Sequence, residues 1–243
     1  MWVRHASTAS TMAVPRLTAI AAIACATVLI TTFVFVVAVW PLYGVKNAAD
    51  VADATKILPA IADHPILTLF NVLDLPIAAL LLLVARGLGA RLARGGTARL
   101  ARAAAPVAAV CFFALGALRL VGYAQLASLY GRDPAAATGA YATFYAVQDT
   151  LDAVAILALG CWLVLTSWLG LKSDRWPPPL AGAGVVAGAA SLAGSAVHAV
   201  QPVALVLVLI WFGWLGVALL RTAGYVQQRG AVLADPAWGC SEV

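Results

Sequence analysis

The sequence predicts an all-α, polytopic membrane protein: a bundle of six transmembrane helices with both termini on the cytoplasmic side. Three observations carry this. The 243-residue chain is 63% hydrophobic and 10% charged, with a mean hydropathy of +0.96, whereas a soluble domain is about 25% charged. Apolar runs of roughly membrane-crossing length recur between short polar segments. The basic residues concentrate on alternate segments, as the positive-inside rule requires. The net charge of +5 therefore reads as orientation, and no nucleic-acid partner is expected. No phosphate loop, dinucleotide glycine fingerprint or zinc-spaced cysteine set is present in the sequence, so no cofactor and no metal are expected.

Residues 1–16 are short, polar and basic, with Arg4, His5 and Arg16, and Met12 is a second candidate start beside Met1. The run 17–40 is longer than the roughly 7–15 apolar residues of a signal peptide and reads as a retained first span. Trp40 and Tyr43 are its interface anchors. Residues 42–64 alternate Lys46, Asp50, Asp53, Lys56 and Asp63 with Val45, Val51, Ile57, Leu58 and Ile61. That pattern predicts an amphipathic surface segment, either a lid over a site or a solvated connector. The second span, 65–84, carries Asn71 and Asp74 on one face. Pro76 cannot donate to the carbonyl of Val72, so a kink is expected there. Residues 86–104 contain Arg86, Arg91, Arg94, Arg99 and Arg102 and no acid.

The third span, 106–130, holds Arg119, Tyr123 and Gln125. The fourth, 142–169, begins with the segment containing Gln148, Asp149 and Asp152. A short basic loop stopped by Pro177-Pro178-Pro179 precedes the fifth span, 180–200. There Gly184 and Gly188, continued loosely by Ser191 and Gly194, permit close helix contact. His198 lies at its far end, and 203–221 forms the sixth span. The tail 222–243 is expected to be polar, cytoplasmic and mobile. Arg4, Arg16, the five loop arginines, Lys172, Arg175, Arg221 and Arg229 fall on the proposed inner side. Only Lys46, Lys56 and Arg132 fall outside. The cysteines Cys25, Cys111, Cys161 and Cys240 have no CxxC spacing and read as small apolar residues rather than a disulfide framework.

An ionised Asp at the bilayer centre costs about 2.5–3.5 kcal/mol on insertion scales, so each intramembrane acid needs compensation. At about 1.5 Å per residue, Asp74 lies near the midplane and Asp149 and Asp152 some 10–15 Å from the outer end. Arg119 and Gln125 share that outer half with them, and His198 lies close to the outer end of its own span. One arginine cannot balance three carboxylates. The remaining acids must be protonated, hydrogen-bonded, solvated in a cavity, or balanced by a cation or by His198. The candidate ligand- or ion-binding residues are thus Asp74, Arg119, Asp149, Asp152, Asn71, Gln125, Gln148 and His198. A purely structural network pinning the bundle is the competing reading.

The segments Leu73-Asp74-Leu75, Gly116-Ala117-Leu118-Arg119-Leu120-Val121, Arg175-Trp176, Gly182 through Gly188, and Trp211-Phe212-Gly213-Trp214-Leu215-Gly216 resemble the pattern of a bacterial family of six-span membrane proteins catalogued as a domain of unknown function. The resemblance covers roughly residues 15–222. The three prolines at 177–179 depart from it, where one proline before Arg-Trp is usual. It implies the six-span fold and no activity.

The favoured function is therefore a non-enzymatic binding or transport-like module in the cytoplasmic membrane, with lipid and a small-molecule, lipid, ion or proton ligand as partners. One rival is a small membrane enzyme acting on a lipid or prenyl-type substrate with an Asp as general acid. The other is a structural or accessory subunit whose glycine-rich fifth span docks a partner protein that the sequence does not identify. The discriminating geometry is whether the acids pair with Arg119 in a void-free core or face a cavity.

Overall fold

The computed structural model describes residues 5–90, 92, 95–173 and 176–234. Arg4, Arg91, Arg94, Arg175 and Cys240 lie outside the described residues. The chain is an all-α membrane bundle. Its elements are α1 (His5–Val34), α2 (Ala48–Ala52), α3 (Ala54–Asp63), α4 (Ile66–Leu69), α5 (Asp74–Gly89), α6 (Gly96–Tyr130), α7 (Pro134–Lys172), α8 (Pro178–Gly194) and α9 (Gln201–Ala234). Five helical stretches are long and apolar enough to cross a membrane, and α8 is a shorter apolar helix.

The six long elements close into a ring. Helix α1 packs on α5, α5 on α6, α6 on α7, α7 on α8, α8 on α9, and α9 returns to α1. Chain neighbours are thus space neighbours, as short connections favour. The core falls into two apolar clusters. The larger holds Leu81, Leu88, Trp162, Leu163, Trp211, Phe212 and Leu215 and fills the half near the arginine-rich loop. Within it Trp162 meets Trp211 edge-on at 5.8 Å and stacks on Phe212 at 6.1 Å. The smaller cluster gathers Phe35, Val45, Ile57, Leu58, Ile61, Tyr123, Leu126, Ala137 and Tyr141 at the other end.

Several helix limits differ from the predicted spans, each for a local reason. Helix α1 passes into a π-helical turn at Phe35–Val39 and a 3-10 turn at Trp40–Tyr43. The second span is broken by a 3-10 turn at Phe70–Leu73, so that α5 starts at Asp74. This is where Pro76 withholds its donor from the carbonyl of Val72. Helix α6 begins at Gly96, ahead of the expected start at Pro106, which lies inside it. The Ala/Arg/Leu-rich stretch before Pro106 favours helix strongly. Arg102 there donates from Nε to the Gly89 carbonyl and from Nη2 to the Leu92 carbonyl, each at 3.3 Å, and so serves the end of α5. Helix α7 starts at Pro134, with Asp133 accepting from the Ala136 N–H at 3.0 Å as its cap. Helix α8 stops at Gly194, because Val197 turns extended before a 3-10 turn at His198–Val200. Helix α9 runs on past Arg221 to Ala234.

The 42–64 segment docks on the bundle rather than lying loosely over it. Asn47 and Asp53 cap α2 and α3, and Ile57, Leu58 and Ile61 form a stripe on α3 that is fully buried against α6 and α7. The Tyr141 hydroxyl on α7 donates to the Val51 carbonyl. Asp50 is buried and accepts from the Lys56 ammonium and from the Lys46 N–H. The Lys56 hydrogen bond, then the Lys46 N–H, hold the Asp50 carboxyl below its ordinary range. The same pairing holds Lys56 above its own.

The ring needs its small residues. A methyl group at Gly188 on α8 would stand 2.7 Å from Val164 Cγ2 and 2.8 Å from the Gly160 carbonyl oxygen on α7. At Gly182, two turns earlier, it would meet nothing within 4 Å. Gly188→Ala should therefore cost about 1–3 kcal/mol in unfolding from detergent, and Gly182→Ala should leave the transition unchanged. A second outcome concerns the cap. Asp50 lends its stabilisation in full above about pH 3.9 and loses it as pH falls through the lowered carboxyl value. Lys56 lends its own below about pH 10.4 and loses it as pH rises through the raised value. Hydrogen exchange in α2 and α3, corrected for intrinsic rate, should therefore quicken below about pH 4. Asp50→Asn should reproduce the effect at neutral pH.

Candidate functional site

Between the two apolar clusters lies a layer of polar side chains, and local sequence explains each placement. Asp74 is the first residue of α5, directly after the 3-10 turn at Phe70–Leu73. Opposite it on α6 is Gly116. A methyl group there would lie 2.9 Å from Asp74 Cβ and 3.3 Å from the Asn71 carbonyl oxygen, so only glycine admits α5 this closely. Arg119 follows three residues later on the same face. Its Nη1 donates to Asp74 Oδ2 at 3.0 Å, and Nη2 stands 4.0 Å from Asp152 Oδ1 on α7.

Asp152 has a second partner from across the ring. Gln201, the first residue of α9, donates from Nε2 to Asp152 Oδ2 at 2.8 Å. Asp149, one turn earlier on α7, faces the 198–200 turn instead, with its Oδ1 3.5 Å from His198 Nε2. That contact is an ion pair only when the imidazole is protonated, and both groups are well exposed. Gln148 is buried, and its Oε1 accepts no hydrogen bond from a described residue.

Two cavities border this layer. The larger, of about 740 Å³, lies under the cap. Lys46, Asn47 and Val51 come from the cap side of its wall, Asn71, Asp74 and Arg119 from α5 and α6 and the turn before them, and Gln148, Asp149, Asp152, His198 and Gln201 from α7 and α9 and the turn between. The smaller, of about 330 Å³, extends towards the arginine-loop end and touches Asp74, Arg119, Asp152 and Gln201 at one end. Cys25, Leu29, Leu81, Leu205 and Phe212 make its remaining walls apolar.

Seven of the eight candidate residues thus border one space. Asn71 spends its amide N–H on the Thr68 carbonyl at 3.1 Å while lining the larger cavity. Gln125 does not join them. Six residues beyond Arg119 it has rotated well away from the Arg119 face, is exposed, and lines neither cavity. Tyr123, one turn from Arg119, takes the inward position instead. Trp40, expected as an interface anchor, lines the larger cavity, as do Tyr145 and Gln201, which are not among the candidate residues. A polar residue opening an apolar helix beside Pro202 was the available signal for Gln201.

Chemically, one guanidinium serves two carboxylates, and the third acid has only an imidazole. The layer can hold a cation, and its carboxyl groups and imidazole can exchange protons with whatever fills the cavity. The Arg119–Asp74 contact also bears on stability, since removing one member of a buried pair leaves an uncompensated charge. Arg119→Met should lower unfolding stability in detergent by about 3–5 kcal/mol. Adding Asp74→Asn to that variant should recover part of the loss, because the stranded carboxylate is then gone.

No curated protein and no solved structure matches the chain. A family model described as "Domain of unknown function (DUF4386)" matches residues 17–222. That match spans the whole ring and every residue of the polar layer, so the chain belongs to this family.

Proposed function

We propose that the protein is a six-span protein of the cytoplasmic membrane, with both termini inside, that binds or carries a small ligand, ion or proton at the cap-end cavity. Orientation rests on the basic residues, which gather at the 86–102 and 172–175 loops and are sparse in the cap. With that orientation the cavity opens in the outer half of the membrane. The observation that carries the functional reading is the incomplete pairing of the acids. Arg119 makes a short contact with Asp74 alone, while Asp149 and Asp152 face a cavity of about 740 Å³ rather than a packed core. A network serving only to pin the bundle would gain by closing that space, since voids forfeit dispersion contacts. Intramembrane acids kept beside a cavity are the usual signature of a ligand, ion or proton site.

The test compares wild-type protein and Asp152→Asn, both purified from membranes. Small molecules retained by each are read by mass spectrometry, and proton uptake by each after reconstitution is read with an internal pH dye. The expected outcome is a retained molecule or a proton flux that falls at least tenfold in Asp152→Asn, with helicity and elution volume unchanged. Equal retention and equal flux in the two proteins would overturn the reading.

A further inference from the structure

The two cavities meet at the ion-paired layer. Asp74, Arg119, Asp152 and Gln201 border both, and Thr32, Val36 and Val37 of the first span and its π-helical turn line both as well. One side of this junction is rich in acceptors and the other is hydrocarbon. The site is therefore built like an amphiphile, with a polar vestibule at the cap end and an apolar chamber running towards the arginine-loop end.

The charge of the vestibule selects the head group. Asp74, Asp149 and Asp152 line it against the Arg119 guanidinium, which already serves two of them, and Lys46 at the cap. The Asp149 side is matched only by His198. Three carboxylates against the Arg119 guanidinium and the Lys46 ammonium leave the acids in formal excess, so a carboxylate or phosphate head would add to that excess. An ammonium would meet acceptors. Gln148 borders the same space, with its Oε1 enclosed in the wall and without a donor. Tyr123, Tyr145 and Trp40 line the same space and add aromatic rings to its wall.

We infer that the ligand of the proposed site is a single-chain cationic amphiphile. Its protonated amine head lies in the cap-end vestibule beside Asp149, Asp152 and Gln148, and its hydrocarbon chain lies in the chamber lined by Leu29, Leu205 and Phe212. The inference rests on the binding reading above and names its ligand class. A chain in that chamber leaves water as it would in lipid, and the acids supply the preference for one head-group charge.

The test uses full-length protein in nanodiscs of zwitterionic lipid and titration calorimetry. Affinities are referred to free aqueous probe and corrected against empty nanodiscs. The probes are n-alkylamines from hexylamine to dodecylamine, with dodecanoate as the anionic counterpart and ethanolamine as the bare head group. Dodecylamine should bind saturably and at least tenfold more tightly than dodecanoate. Affinity should rise by about fourfold per methylene along the amine series. Asp149→Asn and Asp152→Asn should each weaken amine binding at least tenfold. Val208→Phe, or the milder Cys25→Leu, fills the chamber about two turns of α9 beyond Gln201 and should abolish the gain from the last methylenes while weakening hexylamine far less than dodecylamine. Helicity of each variant confirms folding.

Dodecanoate binding as tightly as dodecylamine overturns the cationic head. Amine binding that does not grow with chain length, or growth unaffected in both filled variants, overturns the chamber. In either case an Asp152-dependent retained molecule or proton flux leaves the binding reading standing. Absence of every probe's binding overturns the inference, and only the additional absence of Asp152-dependent retention or flux removes the reading beneath it.

Discussion

An ionised group in hydrocarbon must find its partner within the protein, and here that demand falls on Arg119. Its guanidinium reaches Asp74 at the start of α5 and stands near Asp152 on α7. Three helices are thereby registered at one depth. Gln201 extends the registration to α9 by closing on the second oxygen of Asp152. The contact depends on backbone detail elsewhere. Gly116 brings α6 against the start of α5, and a 3-10 turn at Phe70–Leu73 leads into α5 at Asp74.

The apolar clusters on either side give the layer its character. The aromatic core around Trp162 and Trp211 closes the arginine-loop half of the ring. The cap closes the other end through Ile57, Leu58 and Ile61 on α3 and the Tyr141–Val51 hydrogen bond. Close contacts of α7 with α8, through Gly160 and Gly188, make that seam tight. The spare volume lies beside the charges and in the apolar chamber next to them. Packing in lipid has little hydrophobic drive between helices, so such backbone-to-backbone approach carries much of the association. The larger share of the spare volume, about 740 Å³, lies under the cap.

The two sides of the layer differ in what they offer. Towards the cap there are three carboxylates, an imidazole, aromatic rings, the Arg119 guanidinium and Lys46. Towards the arginine-loop end there is hydrocarbon. Desolvating a cation against those acids would recover in Coulomb and hydrogen-bond energy what hydration loses, in a medium where such contacts are stronger than in water. A neutral or anionic head would forgo that compensation. Of the cap's charges, Asp50 and Lys56 are spent on each other and hold the roof in place.

Much was legible in the chain itself. Hydropathy determined that this is a helical membrane protein, because a backbone in lipid must satisfy its own hydrogen bonds and a helix does so within one segment. The spacing of Gly184 and Gly188 announced a close helix contact, and Pro76 announced the break in the second span. The cost of charge in hydrocarbon singled out Asp74, Arg119, Asp149 and Asp152 before any geometry was known. Sequence distance could not say which acid Arg119 would choose, since Asp74 lies on α5 and Asp152 on α7. Nor could it separate Tyr123, which faces inward, from Gln125, which does not, or show that Gln201 would cross the ring to Asp152. Composition reports the energetic cost of each residue. Only the closed ring decided which side chains meet to offset that cost, and where space was left between them, because partners and voids arise from several helices converging and belong to none of them alone.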